Sequence, residues 1–177
     1  MKLSLLLLIL SLSGNYPSEK EIPYRQLTWA DFRAPVPYDE LTVAARTTTQ
    51  MQLETTEIDG KARFVVRALF LPDFSFVREK TDANLRHEQT HFKIVCIEAT
   101  KCMSALEPLQ GGDSIDKSMA LALYNHYFEE SDRRNTEFDV QTEHCLIPAA
   151  EKRWEEQISL EMRIFGNSSK PVHGRNR

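Results

Sequence analysis

His87, Glu88 and His91 stand in the run Leu85-Arg86-His87-Glu88-Gln89-Thr90-His91-Phe92, a His-Glu-x-x-His pattern. In a helix, four residues advance about 40° around the axis and about 6 Å along it, so the two imidazoles project side by side. At that spacing both can close on one zinc ion at about 2.0–2.1 Å. Glu88 is rotated about 100° from His87, within reach of a water on the metal without being a ligand. Zinc lowers the pKa of such a water; Glu88 can then take its proton as general base and pass it to a leaving amine. This is the signature of a zinc metalloprotease. A chance match arises about once in 150 to 200 chains of this length and ordinary composition.

A catalytic zinc takes a third protein ligand and keeps one position open. The remaining histidines are His126, His144 and His173. His173 falls in a polar tail, and His126 sits between Asn125 and Tyr127 in a helical stretch. His144 closes the segment Phe138-Asp139-Val140-Gln141-Thr142-Glu143-His144, dense in possible ligands. It is the first choice, with Glu143 next and Asp139 third. Glu98 shares the helical face of His91 but lies about 10 Å along the axis; it is placed to orient a ligand, not to be one. An oxyanion donor is expected in such a site. Tyr124, His126 and Tyr127 on a second helix are candidates, as are Arg86 and Arg133, and spacing does not choose among them.

The elements that must position these groups follow from the hydrophobic pattern. Residues 14–40 are irregular around Leu27-Thr28-Trp29-Ala30-Asp31-Phe32, where Trp29 and Phe32 read as anchors on the core. Val43 to Glu57 and Lys61 to Leu71 alternate on either side of Asp59-Gly60, a strong hairpin signal. Pro72 ends or bends the second strand, and Phe74-Ser75-Phe76-Val77 extends to a sheet edge. The period then changes. Thr81 or Asp82 caps a helix running to about Leu106, stopped by Pro108 and Gly111-Gly112. A second helix starts at Ser114 or Asp116 and reaches the mid-130s, carrying Met119, Leu121, Leu123, Tyr124 and Phe128. Phe138 to Cys145 reads as less regular. A third helix begins near Pro148, a residue suited to the first turn, and closes at Gly166, with Trp154, Ile158, Met162 and Phe165 as its apolar stripe. Hairpin first and helices after is an α+β order.

Leu27 to Phe32, Ala44-Ala45-Arg46-Thr47, Ser75-Phe76-Val77, Leu85 to Phe92, and Phe138-Asp139 with Thr142 and His144 follow one another in that order. This succession resembles a bacterial family of uncharacterised domains regarded as secreted zinc-dependent proteases, and the likeness spans roughly residues 24–165. The family pattern has a Tyr-Asp pair, a Thr and then His-Gly; here Phe138 replaces the Tyr and Cys145 the Gly. The resemblance implies a zincin-like fold and peptidase activity. Loss of the phenol at position 138 would remove a transition-state donor if the family uses one there.

Composition bounds the rest. The chain has 177 residues, 41% hydrophobic and 27% charged, as in a soluble single domain rather than a disordered chain or repeat array. Its net charge of −4 argues against a broad nucleic-acid-binding face. Met1-Lys2 followed by the apolar run Leu3 to Leu12, with Ser11 and Ser13 behind it, fits a signal peptide over residues 1–13, cleaved near Ser13 or slightly later. Cleavage removes Lys2 and makes the net charge −5. The expectation is an exported, periplasmic or extracellular zinc enzyme acting on a peptide or protein, with one domain over 14–166, a polar tail over 167–177 and no stable membrane insertion. Cys96, Cys102 and Cys145 permit at most one internal disulfide. Cys96 and Cys102 lie about 9 Å apart along one helix, which disfavours that pair; a bridge from Cys145 or three free thiols both remain open. The competing expectation is a catalytically silent zinc-holding module, to which Cys145 would lend a fourth ligand.

Overall fold

A computed structural model describes residues 24–111 and 117–165. The expected signal peptide, the cap of the second helix at Ser114 or Asp116, Gly166 and the polar tail lie outside the described residues. The architecture is mixed α+β, two small antiparallel sheets followed by three helices.

The hairpin forms as its pattern dictates. Strands β2 (Thr49–Ile58) and β3 (Lys61–Phe70) pair antiparallel from Ile58↔Lys61 to Thr49↔Phe70. Asp59 and Gly60 both take positive φ, 53° and 75°, as a two-residue hairpin turn of primed type requires. Ala62, Phe64 and Val66 alternate into the core and meet Val95, Ala99, Cys102 and Leu106 of helix α1 (Asp82–Leu106).

The first strand of the hairpin is shorter than the pattern predicts. Ala45–Arg46 forms a separate strand, β1, which pairs with β4 (Phe76–Val77) in its own two-stranded sheet. Thr47 and Thr48 break the run because their amides go to side chains. The Thr47 N–H donates to Glu88 Oε2 at 2.6 Å and that of Thr48 to Ser75 Oγ at 2.9 Å. The N-terminal arm docks as expected: Leu27 and Phe32 are buried with Phe70 and Phe92, and Trp29 packs against them. Gln89 Oε1 accepts from the Leu27 amide at 2.6 Å, tying that arm to α1.

Helix α1 starts on Thr81, whose hydroxyl accepts from the Asn84 amide, a cap worth about 1 kcal/mol. Helix α2 (Lys117–Thr142) runs several residues past its predicted end, through the stretch read as irregular. Ser131, Arg134, Phe138 and Thr142 are its buried residues there, spaced three and four apart, so one face stays in the core to the last turn. The helix then stops without glycine: Glu143, His144 and Cys145 all take positive φ, 48°, 53° and 74°. Helix α3 (Pro148–Phe165) follows, burying Trp154 and Ile158 against Ile94, Ile97 and Phe138.

A charge cluster ties the three helices together. Arg134 of α2 reaches Glu98 of α1 and, at 2.7 Å, Glu161 of α3; Lys101 meets Glu98 at 2.9 Å. Such a buried set holds only while each charge keeps its partner. Glu98 therefore braces the helices, and no contact takes it to the histidines it was expected to orient. No helix among the described residues is long and apolar enough to cross a membrane.

Candidate metal centre

Two helices face each other with matched i, i+4 pairs. His87 and His91 lie one turn apart on α1, and Asn135 and Asp139 one turn apart on α2. The Nε2 atoms of His87 and His91 are 3.1 Å apart. Asp139 Oδ1 is 3.3 Å from the first and 3.0 Å from the second. Three ligand-capable atoms thus enclose one point, and the set His87, His91 and Asp139 can hold a metal ion.

The outer nitrogens explain why the inner ones are available. His87 Nδ1 donates to Glu151 Oε1 of α3 at 2.7 Å. His91 Nδ1 donates to Asn135 Oδ1 at 2.8 Å, and Asn135 Nδ2 donates back to Ser131 O at 3.0 Å, which fixes the amide orientation. With each Nδ1 held as a donor, Nε2 is the nitrogen left to turn to a metal, which displaces the proton shared with Asp139; supporting residues impose this orientation on metal-binding histidines. Phe138 stacks on His87 at 4.5 Å between centroids and meets His91 edge-on at 5.0 Å. Its ring walls the cluster off from the core.

The electrostatics favour a positive charge at this point. Burial alone would lower the His87 pKa, but hydrogen bonds to Asp139 and Glu151, with the charges of Glu88 and Glu151, raise it to about 9. Burial likewise acts to raise the Asp139 carboxyl, and the two imidazoles outweigh it, holding the group well below the usual carboxylate range. Glu88 lies buried beside the cluster. Its Oε2 is held by the Thr47 amide, and its backbone carbonyl accepts from the Thr47 hydroxyl at 3.2 Å.

The order among third ligands changes. Asp139, ranked last, is the group that converges with the two histidines. The helix continues through residue 139 and places it on the Asn135 face. His144 comes after the helix end, is 79% exposed, and touches the cluster only by its Nδ1, 3.4 Å from Asp139 Oδ1. Glu143 is exposed in the same turn. The oxyanion candidates are also committed elsewhere. The Tyr124 hydroxyl donates to Met51 O at 2.6 Å, Tyr127 packs on the hairpin core, and His126 is exposed with its ring against Tyr127. Arg86 pairs with Glu155 at 3.2 Å, and Arg133 with Glu130 and Glu137.

Cys96, Cys102 and Cys145 are free thiols. Burial, with the neighbouring Glu151 charge, pushes the Cys145 thiol up to about 11, so it is no ready nucleophile. With His87 and Glu151, whose Oε1 sits on His87 Nδ1, it forms a second group able to hold a metal.

Sequence reasoning missed Asn135, Glu151 and Thr47. Asn135 had a signal: with Asp139 it makes Asn-x-x-x-Asp, one helical turn, readable once the helix is extended. Glu151 reaches His87 across 64 residues of sequence, and no local pattern marks it. Both residues fix a ring and its tautomer. Asn135→Ala is expected to weaken metal binding roughly 10–100-fold while the fold persists, measured by competition with a chromophoric chelator. Comparison of the chain with protein-family models, with curated proteins and with solved structures gives no match.

Proposed function

We propose that this chain is a zinc-dependent peptidase of zincin-like architecture, acting after export to the periplasm or the cell exterior. The carrying observation is the convergence of His87 Nε2, His91 Nε2 and Asp139 Oδ1, with both Nδ1 atoms tied back to Glu151 and Asn135. In a tetrahedral zinc site with bonds of about 2.0–2.1 Å, ligand atoms lie about 3.3–3.4 Å apart. The observed separations of 3.0–3.3 Å fit that size with little movement. Two imidazoles and one carboxylate also match the donor set of catalytic zinc, in which a fourth position stays open.

His87, His91 and Asp139 would hold the metal. When bound, zinc supplies Lewis acidity, polarising a scissile carbonyl and making water a stronger acid at neutral pH. Glu88 handles the protons. Its Oε2 is occupied by the Thr47 amide, so Oε1 is the oxygen that accepts a proton and returns it to the departing nitrogen. Phe138 and the surrounding core limit water behind the histidines. Strand β1 ends next to Glu88 and pairs only with β4 among the described residues. Its other edge can take an extended peptide as an added strand, which brings a backbone carbonyl toward Glu88.

The test is zinc content and hydrolysis measured together, on protein purified without a metal-affinity tag. One zinc per chain is expected, with cleavage of an unfolded protein substrate that a chelator abolishes and added zinc restores. Folded protein that takes up no zinc under saturating conditions would reject the reading.

A further inference from the structure

We propose a second metal site on the opposite side of His87, formed by His87 Nδ1, the Cys145 thiol and the Glu151 carboxylate, for a thiophilic divalent cation such as zinc or cadmium. The ligand-capable atoms of these residues all lie within 4.8 Å of one another, with His87 and Glu151 buried and Cys145 half-buried. They come from three places in the chain: the middle of α1, the turn after α2 and the first turn of α3. The turn after α2 is what brings the thiol in. Three successive non-glycine residues at positive φ are rarely adopted, and here they leave the His144 ring exposed to solvent while the Cys145 side chain lies between α1 and α3.

There is room for an ion. A cavity of about 140 Å³ opens beside Cys145 and Glu151, lined also by Arg86, Lys152 and Glu155 among others. A water takes about 30 Å³ of liquid volume, so a cation and some of its water fit. The two lining cations already have carboxylate partners: Arg86 meets Glu155 at 3.2 Å and Lys152 meets Glu156 at 3.9 Å. Among the described residues the Glu151 carboxylate bonds to His87 Nδ1, 2.7 Å away. A nitrogen, sulfur and oxygen donor set containing a thiolate selects zinc-like ions over magnesium or calcium.

Occupancy has a consequence for the first centre. A second cation takes the place of the Nδ1 proton: with zinc on Nε2, His87 then bridges two metals as an imidazolate, its Nδ1 proton and the Cys145 thiol proton pass to solvent, and the Nδ1–H···Glu151 bond that aims Nε2 at Asp139 is lost. Excess metal at this site therefore opposes the support of the first set, and high zinc is expected to depress hydrolysis. That effect on catalysis rests on the peptidase reading, whereas the binding itself does not.

The experiment adds cadmium to the zinc-loaded full chain and follows metal content and the near-ultraviolet charge-transfer band of a cadmium–thiolate bond. Wild-type protein is expected to take a second equivalent with the band. Cys145→Ser is expected to lose both and to keep its first metal. A second equivalent with an unchanged band in Cys145→Ser, or none in wild type, overturns the proposal. Asp139→Ala separates this site from the first: the variant is expected to lose the zinc of the first set and still develop the cadmium band, whereas wild-type protein that takes no zinc at the first set yet develops the band keeps the second site standing and removes the peptidase reading.

Discussion

Asp139→Ala is expected to strip the metal from this protein, whereas His144→Ala leaves it bound. Asp139 Oδ1 faces both Nε2 atoms at 3.0 and 3.3 Å, and it is the anionic member of the first set. Without it two neutral imidazoles remain, with neither the charge nor the third contact that holds zinc. The loss of affinity should exceed the roughly 10–100-fold typical of removing a supporting residue, so Asp139→Ala falls below Asn135→Ala in one chelator-competition series. His144 is 79% exposed and reaches only Asp139, at 3.4 Å. Its removal takes away one weak contact to a ligand and no donor atom of the set. Metal content after dialysis of both variants decides the matter. The opposite pattern, zinc kept without Asp139 and lost without His144, would return His144 to the position of third ligand.

The reversal between these two residues has a physical origin in where α2 ends. The hairpin could be read because Asp59-Gly60 sits between alternating runs. The start of α1 could be read because Thr81 is a good cap. Nothing comparable marks the end of α2. Its buried residues there are Ser131, Arg134, Phe138 and Thr142, a mixed set that an apolar periodicity does not register. Its stop is made by Glu143, His144 and Cys145 at positive φ rather than by glycine or proline. A helix ended in the mid-130s leaves Asp139 and His144 as equals in a loop, and histidine then wins on ligand chemistry. Continuing the helix to Thr142 puts Asp139 one turn from Asn135, facing His87 and His91, and carries His144 past the cluster.

The motif itself was legible because its chemistry is local: His87, Glu88 and His91 lie within one and a half turns. What completes the site is not local. Glu151 and Asn135 reach the histidines across 64 and 44 residues, and Thr47 reaches Glu88 across 41. Those contacts come from helix packing and from the break between β1 and β2, which a one-dimensional pattern does not contain.

Glu88→Gln is expected to leave fold and zinc intact and to reduce hydrolysis by about 10²–10⁴-fold, the usual contribution of a positioned acid–base group. The amide is close in shape to the carboxylate. Its carbonyl oxygen can still accept the Thr47 N–H bond now made at 2.6 Å, so the junction of β1 with α1 survives. What disappears is the ability to take a proton at the second oxygen and give it back. Glu88→Ala removes that ability too, but it also leaves the Thr47 amide without its partner beside a buried site, at a cost of about 1–3 kcal/mol. The glutamine variant is therefore the cleaner probe, and the alanine variant checks it: both should be inactive, and only alanine should lower the melting temperature. The charge of Glu88 also favours positive charge on His87, so the glutamine variant should bind zinc somewhat more weakly while still saturating. Full activity in a zinc-saturated Glu88→Gln protein would assign the proton transfer to another group, and His144, beside Asp139 at the exposed rim, would be the next residue to replace.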